Sequence, residues 1–119
     1  FSGIAIASDF TNTNNYGTIK SHSLSGGLVS FDDVDSHATA LIINSSNLSD
    51  VNSYLAGNMD NLDTVAFLYD STGSGTNDST MVYNKHASGD SLVELGGVTA
   101  SSLVSGNTDT TTAGAIAIS

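Results

Sequence analysis

Short apolar runs separated by polar turn sequences occur throughout the amino-terminal half of the chain. Residues 3–8 alternate through Ile4 and Ile6, and residues 39–44 form a nearly continuous apolar run. Alternation is typical of a strand with one buried face, and a short continuous apolar run is typical of a strand buried on both faces. The pattern predicts strands at residues 3–8, 17–20, 27–31 and 39–44.

One segment has the period of a helix instead. Leu48, Val51 and Leu55 lie at positions i, i+3 and i+7, and the Ser-Asn pair just before Leu48 can cap the first turn. Gly57 follows as a typical residue for the end of a helix. The pattern predicts one short helix near residues 47–56, which needs a sheet to pack on because isolated helices of this length are unstable.

Three β-rich runs lie close together in the carboxy-terminal half, at residues 63–70, 79–84 and 91–95. The two segments between them are rich in the small polar residues that hairpin loops use. Further apolar positions at residues 98–103 and 115–118 predict two more short strands.

Together these elements predict a mainly β protein, an antiparallel β-sandwich with one short helix near residues 47–56. A length of 119 residues suits one domain, so we expect a single β-rich domain over residues 1–119. Because the chain begins at Phe1, we expect it to be a fragment or processed piece of a longer secreted protein.

The charge is strongly one-sided. Twelve Asp and Glu residues face 2 Lys and no Arg, which gives a formal net charge of −10. Such a chain has almost nothing to neutralise phosphate groups, so we expect neither nucleic acid nor anionic membrane surfaces as partners. The apolar runs are too short to span a bilayer, so no membrane insertion is expected.

The composition also indicates a compartment. Asp outnumbers Glu by 11 to 1, and Ser, Thr, Asn and Gly make up 56 of the 119 residues. Asp favours turns and calcium-binding loops, whereas Glu favours helices. The absence of Cys excludes disulfides and thiolate metal sites. We expect an extracellular or cell-surface protein.

The loop at residues 70–78 is the first candidate metal site. Asp70, Asn77 and Asp78 would supply carboxylate and amide oxygens, the ligands that Ca²⁺ prefers, and the glycines of the loop allow tight turns. The alternative is a flexible hairpin loop built from turn residues.

A second acidic cluster comprises Asp32, Asp33 and Asp35. Three carboxylates so close in sequence repel one another unless they are exposed, hydrogen-bonded or bridged by a cation. The cluster is therefore either a second calcium site or an exposed acidic turn.

Catalytic patterns are missing from the sequence. There is no G-x-S-x-G motif, the single Glu offers no acid–base pair of glutamates, and the three His residues lie in unrelated segments without metal-ligand spacing. We therefore expect a protein that is not an enzyme. Tyr69 and Tyr83 fall on neighbouring predicted strands, where we expect them to pack in the core; stacking against sugars is the alternative.

Residues 62–103 read LDTVAFLYDSTGSGTNDSTMVYNKHASGDSLVELGGVTASSL. The Asp-Thr start to an aromatic strand, the Gly/Asp hairpin and the sequence DSLVELGGVT followed by SSL resemble the carboxy-terminal region of type I-secreted bacterial surface proteins. That class includes RTX-type adhesins, hemolysin-like proteins and S-layer proteins. The hydroxyl-rich stretch that leads to AIAIS is similar to the uncleaved export signal of the class, whereas its calcium-binding G-G-x-G-x-D repeat is absent.

The resemblance implies a secreted, non-enzymatic structural or assembly domain of a surface layer, filament or adhesin. Self-association, or contact with other surface-protein subunits, would use strand edges or loops, and Ca²⁺ would offset the repulsion between acidic copies. The alternative function is a calcium-assisted carbohydrate-binding module of an adhesin, with glycans as partners and an exposed Tyr beside an Asp/Asn loop.

Overall fold

The computed structural model describes residues 5–6, 10–12, 14–61, 63–105 and 116–118. Within these residues the chain is mainly β with one short helix, as the sequence predicts. The elements in chain order are β1 (Ala5–Ile6), β2 (Ser21–Ser25), β3 (Leu28–Asp32), α1 (Leu48–Asn58), β4 (Asp63–Tyr69), β5 (Ser79–Asn84), β6 (Ser91–Gly96), β7 (Leu103–Ser105) and β8 (Ile116–Ile118).

The principal sheet is mixed. Its strands lie in the order β2-β3-β4-β5-β6, and β1 also pairs with β4. β1 and β3 run parallel to β4, whereas the other neighbours are antiparallel. β7 and β8 pair with each other in a separate two-stranded sheet. The prediction of a purely antiparallel sheet is therefore wrong, and the described residues show an open sheet with a helix instead of a sandwich.

The long connection between β3 and β4 explains their parallel pairing. Parallel neighbours need a crossover of a dozen or more residues, usually through a helix. Here the crossover contains α1, whose buried side chains pack on one face of the sheet. The short hairpins on either side of this unit keep the remaining neighbours antiparallel.

Side-chain alternation divides the sheet into two faces. In the register of β4 and β5, Val65 lies opposite Tyr83 and Phe67 lies opposite Met81, and these four side chains join the core beneath α1. The core consists of the buried residues Phe10, Ile19, Val29, Phe31, Ile43, Val51, Tyr54, Leu55, Met59, Val65, Phe67, Tyr69, Met81 and Tyr83. A smaller cluster around Ala66 and Val82 lies apart from this core.

The predicted strand at residues 17–20 is a tight turn. Tyr16 and Ile19 exchange backbone hydrogen bonds of 3.0 and 2.9 Å across it. Gly17 adopts a φ of 58° in this turn, a conformation that favours glycine. The strand β2 begins only after the turn is complete, so it lies beyond the predicted segment.

Residues 39–44 also do not form the predicted strand, although they are apolar. The N–H of Leu41 donates to the carbonyl of Phe31 in β3 at 2.8 Å. The carbonyl of Ile43 accepts from the N–H of Asp70, just after β4, at 2.8 Å. The segment thus bonds to two different strands instead of pairing along one of them.

The carboxy-terminal predictions agree more closely with the structure. β4, β5 and β6 match the predicted runs to within one residue at each end. Residues 98–102 form a loop, and β7 begins at Leu103. The predicted strands at residues 3–8 and 115–118 lie partly outside the described residues. Their described parts include β1 and β8, respectively.

The predicted helix is confirmed, but Gly57 has a different role from the predicted one. It lies inside α1, which ends at Asn58. A Cβ at position 57 would collide with the ring and hydroxyl of Tyr16. Close packing of Tyr16 against the helix backbone, and not helix termination, explains this glycine.

Tyr54 lies at the centre of the aromatic packing between α1 and the sheet. Its side chain is 0% exposed, and Phe31 and Tyr16 meet its ring edge-on with centroid distances of 5.9 and 6.5 Å. The Tyr54 hydroxyl hydrogen-bonds to His22 Nδ1 at 2.8 Å, and the His22 ring stacks on Phe10 at 3.9 Å. One helical side chain thus connects β2, β3 and the segment that precedes them.

We expect Tyr54→Ala to destabilise the protein by about 3–5 kcal/mol, the usual cost of deleting a buried aromatic ring. Tyr54→Phe keeps the ring and loses the hydroxyl, so its cost should be about 1 kcal/mol. Urea unfolding measures both values. The exposed neighbour variant Ser53→Ala is the control, and equal stability of Tyr54→Ala and this control would contradict the central role of Tyr54.

Candidate functional site

Asp70 is the central residue of the first predicted metal loop, and its side chain is buried. Its Oδ1 accepts hydrogen bonds from the backbone N–H groups of Thr72, Gly73 and Ser74 at 3.2, 2.9 and 3.2 Å. Its Oδ2 accepts from the N–H of Gly75 at 2.6 Å. The loop therefore wraps around the carboxylate and turns successive peptide N–H groups toward it.

Two glycines make this loop possible. Gly73 and Gly75 have φ values of 74° and 89°, in the left-handed region that other residues rarely adopt. Burial alone would raise the pKa of Asp70, but the N–H groups of Gly75, Ser74 and Thr72 hold it below its usual value. The carboxylate is thus charged and compensated by peptide dipoles.

The other two predicted ligands of this loop differ from each other. Asp78 Oδ1 accepts hydrogen bonds from the Ser71 N–H at 3.1 Å and the Ser79 hydroxyl at 2.8 Å. Ser71 and Ser79 together lower the pKa of Asp78. Asn77 carries a buried Oδ1 that has no hydrogen-bond partner among the described residues. Asp78 therefore closes the base of the loop, while Asn77 contributes no such bond through Oδ1.

In the second predicted cluster, only Asp32 is buried, with 4% of its surface exposed. Asp32 Oδ2 accepts from the N–H groups of Ala38 and Thr39 at 2.8 and 2.9 Å, and Oδ1 accepts from the N–H of Asp33 at 2.7 Å. The bonds from Ala38 and Thr39 are the main reason that the pKa of Asp32 falls to about 2. Asp33 and Asp35 are exposed, so this turn combines one buried anchor with two solvent-facing carboxylates.

Asp90 also accepts hydrogen bonds in the β5–β6 hairpin, although it is exposed, and the sequence did not single it out as a site residue. It accepts a hydrogen bond from the Tyr83 hydroxyl and another from the His86 N–H at 2.9 Å. Lys85 Nζ lies 3.8 Å from Asp90 Oδ2. Burial, followed by the bond to Asp90, raises the pKa of Tyr83. Its position directly before the predicted strand at residues 91–95 is the sequence signal that could have identified it.

The six predicted ligands belong to two candidate sites, Asp70, Asn77 and Asp78 in one loop and Asp32, Asp33 and Asp35 in another. In the described part of the chain, no group of three His, Asp or Glu side chains is placed to hold a metal ion. The oxygens of Asp32, Asp70 and Asp78 accept hydrogen bonds from the protein. Both calcium sites stay predictions.

A cleft of about 260 Å³ lies beside β3, at the point where β3 and β4 separate. Its wall includes the hydroxyls of Ser23, Ser25 and Ser30, and Asn77 also lines it. Ser30 Oγ lies 3.1 Å from His37 Nε2, within hydrogen-bond distance. Through Asn77 the cleft adjoins a predicted site residue, and no pattern in the sequence indicates it.

Comparisons of the chain with protein-family models, with curated proteins and with solved structures gave no match. Among the described residues, no helical stretch reaches the length and apolar character that crossing a membrane requires.

Acid should destabilise the protein in a window set by Asp32. The pKa of this carboxyl is about 2 in the folded chain and about 4 in an unfolded one. Its hydrogen bonds therefore stabilise the fold fully above pH of about 4, and this stabilisation is lost as the pH falls through about 2. Unfolding midpoints in urea between pH of about 5 and about 2 measure the loss.

Asp32→Asn should lower the stability at neutral pH and flatten its dependence on pH in this window. Asp35→Asn is the matched control because Asp35 is exposed in the same turn. The control should follow the unmodified protein. If the stability of Asp32→Asn depended on pH in the same way as that of Asp35→Asn, Asp32 would not anchor the turn.

Proposed function

We propose that the chain is a non-enzymatic structural domain of a bacterial extracellular surface protein, and that copies of it assemble through the free edge of β6. The observation that carries the proposal is the state of this strand. β6 pairs with β5 along its whole length, from Ser91 to Gly96, and no described strand pairs with its other edge.

The side chains of β6 do little to block the addition of another strand. Leu92 and Val93 point to opposite faces of the sheet and are 36% and 42% exposed. Soluble proteins usually protect an edge strand with Lys, Pro, a bulge or a covering element. β6 contains neither Lys nor Pro, and Glu94 is its single charged residue. Such an edge supports strand addition by a second copy.

The β5–β6 hairpin holds this edge in place before any partner arrives. The Asp90 carboxylate bonds to the Tyr83 hydroxyl in β5 and to the His86 N–H in the loop. A strand that is already ordered loses less conformational freedom on association than a mobile segment does. Preorganisation therefore favours assembly through β6.

Charge opposes association and gives calcium a role in the proposal. Copies with a net charge of −10 repel one another at low ionic strength. The carboxylates of Asp33 and Asp35 are exposed and so face solvent, unlike that of Asp32. We assign Ca²⁺ to bridging or screening such exposed carboxylates between copies, because the buried ones already have protein donors.

Two further points support this function over a calcium-assisted carbohydrate-binding module. The resemblance of residues 62–103 to type I-secreted surface proteins favours an extracellular assembly role. Sugar stacking needs an exposed aromatic ring, whereas Tyr54, Tyr69 and Tyr83 are buried.

Sedimentation velocity over a range of protein concentrations, with Ca²⁺ and with chelator, tests the proposal. We expect concentration-dependent association that Ca²⁺ strengthens. Val93→Lys should weaken it at least about tenfold, because an added strand would partly bury the ammonium, at a desolvation cost of more than about 1.4 kcal/mol. Ile42→Lys is the matched control: Ile42 is 39% exposed, lies outside both β6 and the acidic turn, and receives the same change in charge.

The control separates edge pairing from charge. Each Lys reduces the net negative charge of the chain. If charge repulsion alone controlled association, both variants would therefore associate more strongly. A protein that stays monomeric at high concentration, with or without Ca²⁺, would contradict the assembly function and favour the binding-module alternative. Circular dichroism of both variants verifies that they keep the fold.

A further inference from the structure

The cleft beside β3 is created by a break in the pairing of two parallel strands. β3 and β4 share the register pair Leu28–Ala66, after which residues 41–43 come between them. Leu41 bonds to β3 and Ile43 bonds to the residue after β4. The cleft lies beside this break, and its lining includes residues of both strands, such as Val29 in β3 and Phe67 in β4.

The polar wall of the cleft consists of hydroxyl and amide groups. Ser23 and Ser30 lie directly opposite each other in the β2–β3 register, and Ser25 lies on the same face as Ser23. Asn77 and Ser101 approach from the carboxy-terminal half of the chain. His37 Nε2 lies within hydrogen-bond distance of Ser30 Oγ, which restricts the rotation of that hydroxyl.

The chemistry of the lining selects for a neutral ligand. None of the described residues that line the cleft is charged. A cation would find no carboxylate there, and an anion would be repelled by a chain with a net charge of −10. The apolar side chains of Val29, Ile43 and Phe67 complete the cleft, so they suit the C–H surface of a ligand whose hydroxyls face the serines.

We infer that this cleft binds a small, neutral, polyhydroxylated molecule about the size of one sugar ring. The volume of about 260 Å³ lies just below the range of pockets that hold drug-sized ligands, roughly 300–1,000 Å³. The inference does not rest on assembly through β6, because no residue of β6 lines the cleft. It differs from the calcium-assisted module because neither a carboxylate nor an exposed aromatic ring takes part.

The test is an NMR titration of the ¹⁵N-labelled chain with D-glucose, N-acetylglucosamine and myo-inositol. We expect at least one of them to shift backbone signals of the cleft residues with millimolar affinity, as suits a ligand of this size. Glucose 6-phosphate should bind at least about tenfold more weakly, because a chain with a net charge of −10 repels an anion. If a sugar binds, its methyl glycoside and a disaccharide that ends in it are titrated next. These two probes distinguish a site for a free monosaccharide from a site for the end of a glycan chain.

Two variants locate the site. Ser23→Leu removes a hydroxyl and fills the cleft from an exposed strand position. We expect it to weaken binding at least about tenfold. Ser25→Leu serves the same purpose if Ser23→Leu does not fold. Ser49→Leu places the same side chain at an exposed position of α1, outside the cleft, and should bind as the unmodified chain does. Absence of confined shifts with every neutral probe, or equal binding by Ser23→Leu and Ser49→Leu, would overturn the inference.

Discussion

Hydrogen bonds from backbone N–H groups to aspartate carboxylates hold the ends of the strands in this protein. Asp32 at the end of β3 and Asp70 after β4 are buried, Asp90 before β6 is exposed, and each accepts at least one N–H group from the loop beside it. A carboxylate leaves water only when its charge is compensated, and peptide groups that converge on one point supply that compensation. In a chain with two Lys residues, these dipoles replace the basic side chains that other proteins use.

The loops that these carboxylates close set the position of every feature with a proposed function. The Asp32 turn directs the chain out of β3 toward α1, and Tyr54 then fixes α1 on the sheet. The Asp70 loop brings Asn77 to the cleft, while Asp90 orders the hairpin that presents β6. The cleft and the free edge are therefore products of loop closure as much as of strand pairing.

The sequence was most informative where a local pattern decides the structure. β-rich runs and turn residues located β4, β5 and β6, and the i, i+3, i+7 pattern located α1, because nearest neighbours along the chain dominate these choices. Parallel pairing of β3 with β4 depends on contacts distant in sequence, although a lone helix between two strands was a usable sign of a crossover. Turn anchors and calcium ligands use the same residue, so the acidic turns predict calcium ligands as readily as anchors. The arrangement of N–H groups around Asp32 and Asp70 makes them turn anchors, and the sequence does not contain that arrangement.

The insertion of residues 41–43 between β3 and β4 also has a mechanical consequence. β3 and β4 share one register pair, whereas β4 and β5, and β5 and β6, share six each. Side-chain packing, chiefly Phe31 against Tyr54 and Phe67, holds the β2–β3 hairpin to the rest of the sheet. Cooperative units of a protein separate where few hydrogen bonds cross between them. Under tension along the chain, the seam between β3 and β4 would open first, and the three-stranded meander from β4 to β6 would remain as the unit that bears load.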